Sequence, residues 1–205
     1  MTRAVVVLAL LAVGGRALPA QGPSLRPAWR SGVSAVWQTR FLADVNGPTV
    51  TGGRTLAVEG GPVWTLVRAD RFGLHLKGAL QVRAAFPRVL IAERSDTIGP
   101  PRSGGRASLV DVGVRVEQEL DTYLQYHVAA SALFVRGPRD IAPFRFAGVN
   151  GRHASAEVGA ALQLACSRTW LTAALHISEL GSRDPEAEIT EGPFLRALVG
   201  LRRGR

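Results

Sequence analysis

The chain reads as all-β: an eight-stranded antiparallel barrel with one oily wall and one polar wall. Three observations lead there. Eight stretches between residue 31 and the C-terminus alternate apolar and polar side chains, the period of a strand whose successive residues point to opposite faces. The gaps between them run long, short, long, short, long, short, long. No later stretch is continuously apolar over the roughly 20 residues that a membrane helix needs.

Strand one sets Val33, Ala35, Trp37, Thr39 and Phe41 against Ser34, Gln38 and Arg40. Strand two ends near Asp70; Gly60-Gly61-Pro62 blurs its start and Trp64 interrupts its alternation. Strand three is the cleanest, with Phe72, Leu74, Leu76, Leu80, Val82, Ala84 and Phe86 opposite His75, Lys77, Gln81 and Arg83. Strand four places Val110, Val112, Val114 and Val116 opposite Asp111, Arg115 and Glu117. In strand five, Leu124, Tyr126, Val128, Ala130, Ala132 and Phe134 oppose Gln125, His127 and Ser131. Strand six opposes Ala154, Ala156, Val158, Ala160, Leu162 and Leu164 to Ser155, Glu157 and Gln163. Strand seven runs from Thr169 to about Leu180, and strand eight sets Leu195, Ala197, Val199 and Leu201 against Arg196 and Arg202.

The short gaps fall at Asp70-Arg71, Glu119 to Asp121 and Ser167-Arg168. The long ones cover about Ala43 to Arg54, Pro87 to Gly105, Gly137 to Gly151 and Gly181 to Gly192, all rich in loop-forming residues. Tight turns on one side and wide loops on the other are the layout of a bacterial outer-membrane barrel, with the turns in the periplasm. Aromatic residues flank both ends of the strands: Phe72, Tyr123 and Trp170 follow short turns, and Phe41, Phe86, Phe134 and Phe194 sit beside long loops. Two such belts mark the two membrane interfaces. A soluble, lipocalin-like carrier barrel is the alternative, and it reverses the faces, lining its interior with the valines and leucines.

The first residues read as an export leader. Arg3 is followed by the apolar stretch Ala4 to Val13 and by the small-residue site Ala17-Leu18-Pro19-Ala20. The expected organisation is therefore a signal peptide over 1–20, a periplasmic segment over 21–30 and the barrel over 31–205. Arg3 and Arg16 would leave with the leader, lowering the formal charge of +9 by two. Arginine carries that charge, Lys77 being the only lysine. Export makes lipid headgroups and lipopolysaccharide phosphates better-matched partners than nucleic acid. Arg102, Arg106, Arg136, Arg139, Arg145 and Arg152 make the second and third long loops basic, a pattern suited to phosphate contact. The oligomeric state is not encoded legibly.

The single Cys166 rules out an intrachain disulfide framework. His75 and His127 stand on polar faces with no second ligand at metal spacing, so neither a metal nor another cofactor is expected. Inside eight strands there is room for side chains but hardly for a pore. Arg40, Arg68, Lys77, Arg83, Arg115 and Arg196 are expected to meet Asp111, Glu117 and Glu157 there, because a charge buried alone is costly.

One stretch could carry chemistry. Strand seven ends Ala174-Leu175-His176-Ile177-Ser178-Glu179-Leu180-Gly181, and Pro185, Glu186, Glu188 and Glu191 follow. His176 and Ser178 are two apart on a strand and share a face. An imidazole beside a hydroxyl can act as its general base, and a carboxylate can orient the imidazole. Over strands six to eight the chain resembles the lipid A 3-O-deacylases, outer-membrane barrel esterases with a His-x-Ser motif near the end of the penultimate strand. The resemblance implies His176 as base and Ser178 as nucleophile. The family's asparagine after the serine is replaced by Glu179, and Thr190 falls at the place of the acidic residue, leaving Glu188 or Glu191 for that role.

Parity separates the possibilities. Leu171, Ala173, Leu175 and Ile177 share one face of strand seven, and Trp170, Thr172, Ala174, His176 and Ser178 the other. The esterase requires His176 and Ser178 on the outer wall, where an acyl chain could reach them. A structural or interaction barrel without chemistry turns both inward as part of a polar plug, which is what hydrophobicity alone favours.

Overall fold

The structure is a computed structural model that describes residues 26–38, 40–44, 49–69, 74–92, 102–141, 144, 150–164, 168–180, 189–190 and 192–204. The expected leader, Cys166, Glu188 and Glu191 lie outside these residues. The strands are β1 (Ala28–Gln38), β2 (Arg40–Asp44), β3 (Thr49–Gly52), β4 (Thr55–Ala69), β5 (Leu74–Ala85), β6 (Arg88–Ala92) and β7 (Arg102–Arg106). They continue with β8 (Ser108–Glu119), β9 (Leu124–Arg136), β10 (Gly151–Gln163), β11 (Thr169–Leu180), β12 (Ile189–Thr190) and β13 (Gly192–Gly204).

Eight of them close a barrel in the order β1-β13-β11-β10-β9-β8-β5-β4. Every neighbouring pair is antiparallel, including the closing pair of β1 with β13, where Ala35 faces Val199. Closure satisfies the backbone groups of each wall strand and leaves no sheet edge, the condition for strands to stand in lipid. A tilted strand needs about 9–11 residues to cross a bilayer. The shortest barrel strand, β1, has 11 residues and the longest, β4, has 15. The barrel begins at Ala28, inside the segment read from sequence as periplasmic.

The oily faces point outward throughout. Leu80, Val82, Val112, Val114, Val116, Val128, Val158, Leu171, Leu175, Ile177, Val199 and Leu201 are all exposed, while Arg83, Asp111, Arg115, Glu117, Glu157, Arg196 and Arg202 are buried inside. This is the reverse of a carrier barrel, whose interior would hold the valines and leucines.

Strand β4 explains its own blurred pattern. Thr65 pairs with Lys77 but Val67 pairs with Leu76, so Leu66 is an extra residue in a bulge. A bulge inserts one residue and flips the parity beyond it. Ala57, Glu59 and Val63 turn inward before the bulge, whereas Arg68 stands opposite the inward-facing His75 after it. Leu66 itself lies over Gly78, whose hypothetical Cβ would meet Leu66 Cδ1 at 3.0 Å.

The long gaps are more ordered than their loop composition suggests. β12, β2, β3, β6 and β7 form a second, five-stranded sheet beyond the long-loop end of the barrel. Thr49-Val50-Thr51 pairs with Leu90, Ile91 and Ala92 across the β3–β6 ladder. Short runs of β-branched residues form strands wherever one face can be covered, and here the barrel mouth covers it. Val50 and Val89 are fully buried. They join Val36, Leu109, Leu133, Val135, Ile141, Phe144, Phe194 and Leu198 in one apolar core.

Candidate functional site: the barrel lumen and its two mouths

From the long-loop end downward, the lumen is layered by strand register. The apolar core fills the upper mouth. Beneath it lies a belt of hydroxyls: Ser131 and Ser155 are opposed on β9 and β10, and Ser155 and Ser178 on β10 and β11. Ser155 Oγ and Ser131 Oγ are 2.7 Å apart. Ser178 Oγ, by contrast, is buried with no hydrogen-bond partner among the described residues.

The same register brings His176 opposite Arg196 and Ser178 opposite Phe194. His176 Nε2 stands 3.1 Å from Asp111 Oδ1. Arg196 Nη2 donates to Asp111 Oδ1 at 2.8 Å and lies 2.8 Å from His176 Nε2 and 2.9 Å from Nδ1. His176 is 1% exposed and Ser178 3% exposed. Both therefore face the lumen, as the apolar character of Leu171, Leu175 and Ile177 favours. The guanidinium lies against both ring nitrogens, and the hydroxyl has no hydrogen bond to the imidazole.

The next layer centres on Glu157. Its carboxylate accepts from Arg83, from Arg115 Nη2 at 2.9 Å, and is 3.0 Å from His127 Nε2. Arg83 also donates to Glu59 Oε2 through Nη2 at 2.8 Å. Gly159 makes this possible, since a Cβ there would lie 2.4 Å from His127 Cε1. Lower still, Glu117 accepts from Arg30 and from Arg202 Nη1, the latter at 3.0 Å, and Arg202 Nη2 donates to Gln125 Oε1 at 2.7 Å. Near the short-turn end Lys77 pairs with Glu119. Opposite charge and hydrogen bonds thus offset most of the burial cost, while Arg115 Nε, Glu117 Oε2, His127 Nδ1 and Arg196 Nε have no hydrogen-bond partner among the described residues.

Sequence reasoning found Arg83, Asp111, Arg115, Glu117, Glu157 and Arg196 but did not include Glu59, Arg30 or Glu119 in the network. Glu59 was hidden by the adjacent glycines and proline. Arg30 fell outside the expected barrel boundary. The side chain of Arg40 is outside the description, and Arg68 is exposed at the rim.

The aromatic belts need two corrections. Phe194 does not face the interface; it is 1% exposed and belongs to the apolar core, because it shares the inward parity of Arg196. Trp170 likewise shares the parity of His176. Exposed aromatics are Trp29, Tyr123 and Tyr126 towards the short-turn end, and Trp37, Phe86 and Phe134 towards the long loops. Phe72 and the side chain of Phe41 lie outside the description.

Arg106, Arg136, Arg139 and Arg152 are exposed at the long-loop end. Strand pairing adds Arg88, opposite Arg106, and places Arg152 opposite Phe134. Arg145 and the side chain of Arg102 are outside the description.

An outward apolar wall, a charged and filled interior and aromatic belts at both ends define the class: an eight-stranded transmembrane β-barrel of the outer-membrane type. A scan against protein-family models finds no match, and a search of curated proteins finds none. Among solved structures, the chain is similar to outer membrane protein AlkL in lipid bilayers, at 12% identity and a TM-score of 0.48, covering 94% of this chain and 97% of that one. It is similar to Neisserial surface protein A (NspA), at 10% identity and TM-score 0.40, with 89% and 99% coverage. A de novo designed transmembrane β-barrel matches at 11% identity and TM-score 0.42, with 87% and 95% coverage.

Proposed function

We propose that this barrel acts as a structural or interaction protein of the outer membrane, without hydrolytic chemistry, and that its basic rim meets lipopolysaccharide phosphates. The observation that carries this is the closed lumen: each of its charged layers is internally paired, and an apolar core fills its upper mouth. Nothing in such an interior can take up an acyl chain from the outer leaflet. The rim arginines Arg88, Arg106 and Arg136 stand just above Phe86 and Phe134, and Arg152 stands opposite Phe134, the depth at which outer-leaflet phosphates lie. Guanidinium groups suit phosphate oxygens through paired N–H donors.

The esterase alternative has His176 beside a carboxylate in its favour, with Asp111 in the part expected of Glu188 or Glu191. Against it stand the inward orientation of both side chains and the Arg196 guanidinium against the imidazole. Mass spectrometry of lipid A from cells carrying the barrel in their outer membrane separates the two. Lipid A unchanged by both the wild type and Ser178→Ala, at equal folded abundance, is the expected result. Loss of one ester-linked acyl chain with the wild type alone would establish Ser178 as a nucleophile and overturn the proposal.

A further inference from the structure

The short-turn mouth of the barrel differs from the sealed upper mouth. It holds an open vestibule of about 430 Å³. Four of its lining side chains are cationic (Arg30, Lys77, Arg168 and Arg202) and none is acidic. Glu117 and Glu119 neutralise part of that charge from behind the lining: Glu117 is shared by Arg30 and Arg202, and Glu119 takes Lys77. Among the described lining residues and their ion-pair partners, four cations stand over two carboxylates, an excess of positive charge in a concave, low-dielectric wall that focuses the field and concentrates counter-anions.

The last pair between β1 and β4 is Ala28 with Val63, yet β4 continues to Ala69. Trp29, Trp64 and Trp170 also line the vestibule.

From these placements we propose that the vestibule is a binding site for an anionic phosphate group, held by the cations Lys77, Arg168, Arg30 and Arg202 and bordered by the three tryptophans. The group is either the headgroup of an anionic phospholipid at the mouth's rim or free phosphate in the periplasm. The paired layers above make the site a dead end, so the ligand is held and not passed through. Guanidinium and ammonium groups both serve phosphate, the first as a fork and the second as a point charge.

Three of the chain's four tryptophans line the vestibule, so their fluorescence reports occupancy. The folded full-length barrel is placed in phosphatidylcholine nanodiscs. It is titrated with inorganic phosphate in one arm, and compared with discs of rising phosphatidylglycerol content in the other. The expected result is a saturable change in at least one arm, weakened by added salt. In the Lys77→Gln/Arg168→Gln variant the apparent affinity falls about tenfold or more, as loss of two charge-assisted contacts implies. Arg168→Gln alone, at an exposed turn position, shows a smaller loss in the same direction and keeps the result interpretable if the double variant folds poorly. The responding arm identifies the source. No saturable change in either arm, or a change that the variants leave intact, overturns the proposal.

Discussion

At the scale of single residues, the lumen is a set of ions that tolerate confinement only together. Glu157 shows it most clearly, because Arg83, Arg115 and His127 all meet at its carboxylate. Glu157→Ala takes from Arg115 its hydrogen-bonded carboxylate and leaves Arg83 with Glu59 alone, and removing one member of a buried pair costs about 3–5 kcal/mol. Urea unfolding in detergent micelles should show that loss. Ser178→Ala should behave oppositely. Its hydroxyl is buried without a partner, so its removal changes stability by less than about 1 kcal/mol or raises it. A loss of several kcal/mol would show that the hydroxyl has a bonding role. The pairing of Asp111, His176 and Arg196 was only half visible in sequence. Parity places His176 and Arg196 on lumen faces, but their contact needs the β11–β13 register, and Asp111 comes from a strand that adjoins neither.

At the scale of elements, alternation was legible wherever a strand separates lipid from lumen, and failed for physical reasons elsewhere. In β4 the Leu66 bulge exchanges the two faces midway, so no single parity describes the strand. At the long-loop ends both faces become apolar: Leu133-Phe134-Val135, Phe194-Leu195 and Ala197-Leu198-Val199. Such two-sided runs signal burial on both sides, here against lipid and against the apolar core. Val50 and Val89 lay in gaps whose glycines and prolines read as loops, and only the covering sheet gives them a partner surface. The outward faces make a graded prediction. Val114, near the middle of β8, should lose about 2–4 kcal/mol on substitution by Lys, against about 0–1 for Leu124→Lys at the strand end. Reversible unfolding into urea from lipid vesicles measures both, and equal costs would argue against a bilayer around the wall.

At the scale of the whole molecule, the two mouths are unlike. The upper one is closed by apolar side chains beneath a five-stranded sheet, and the lower one opens into a basic vestibule. Between them the paired charges seal the barrel, so contact at either end does not require passage through it. All of this rests on the apolar faces standing in lipid. Spin labels on single cysteines in a Cys166→Ser background test that most directly, with labels at the outward positions Val112, Val114, Val128 and Leu175 and at Tyr123 near the short-turn interface. In bilayers, collisions with oxygen should peak and collisions with a water-soluble nickel chelate should vanish towards the strand centres, with the reverse at Tyr123. High nickel accessibility at every position, with no depth gradient, would contradict a membrane-spanning barrel.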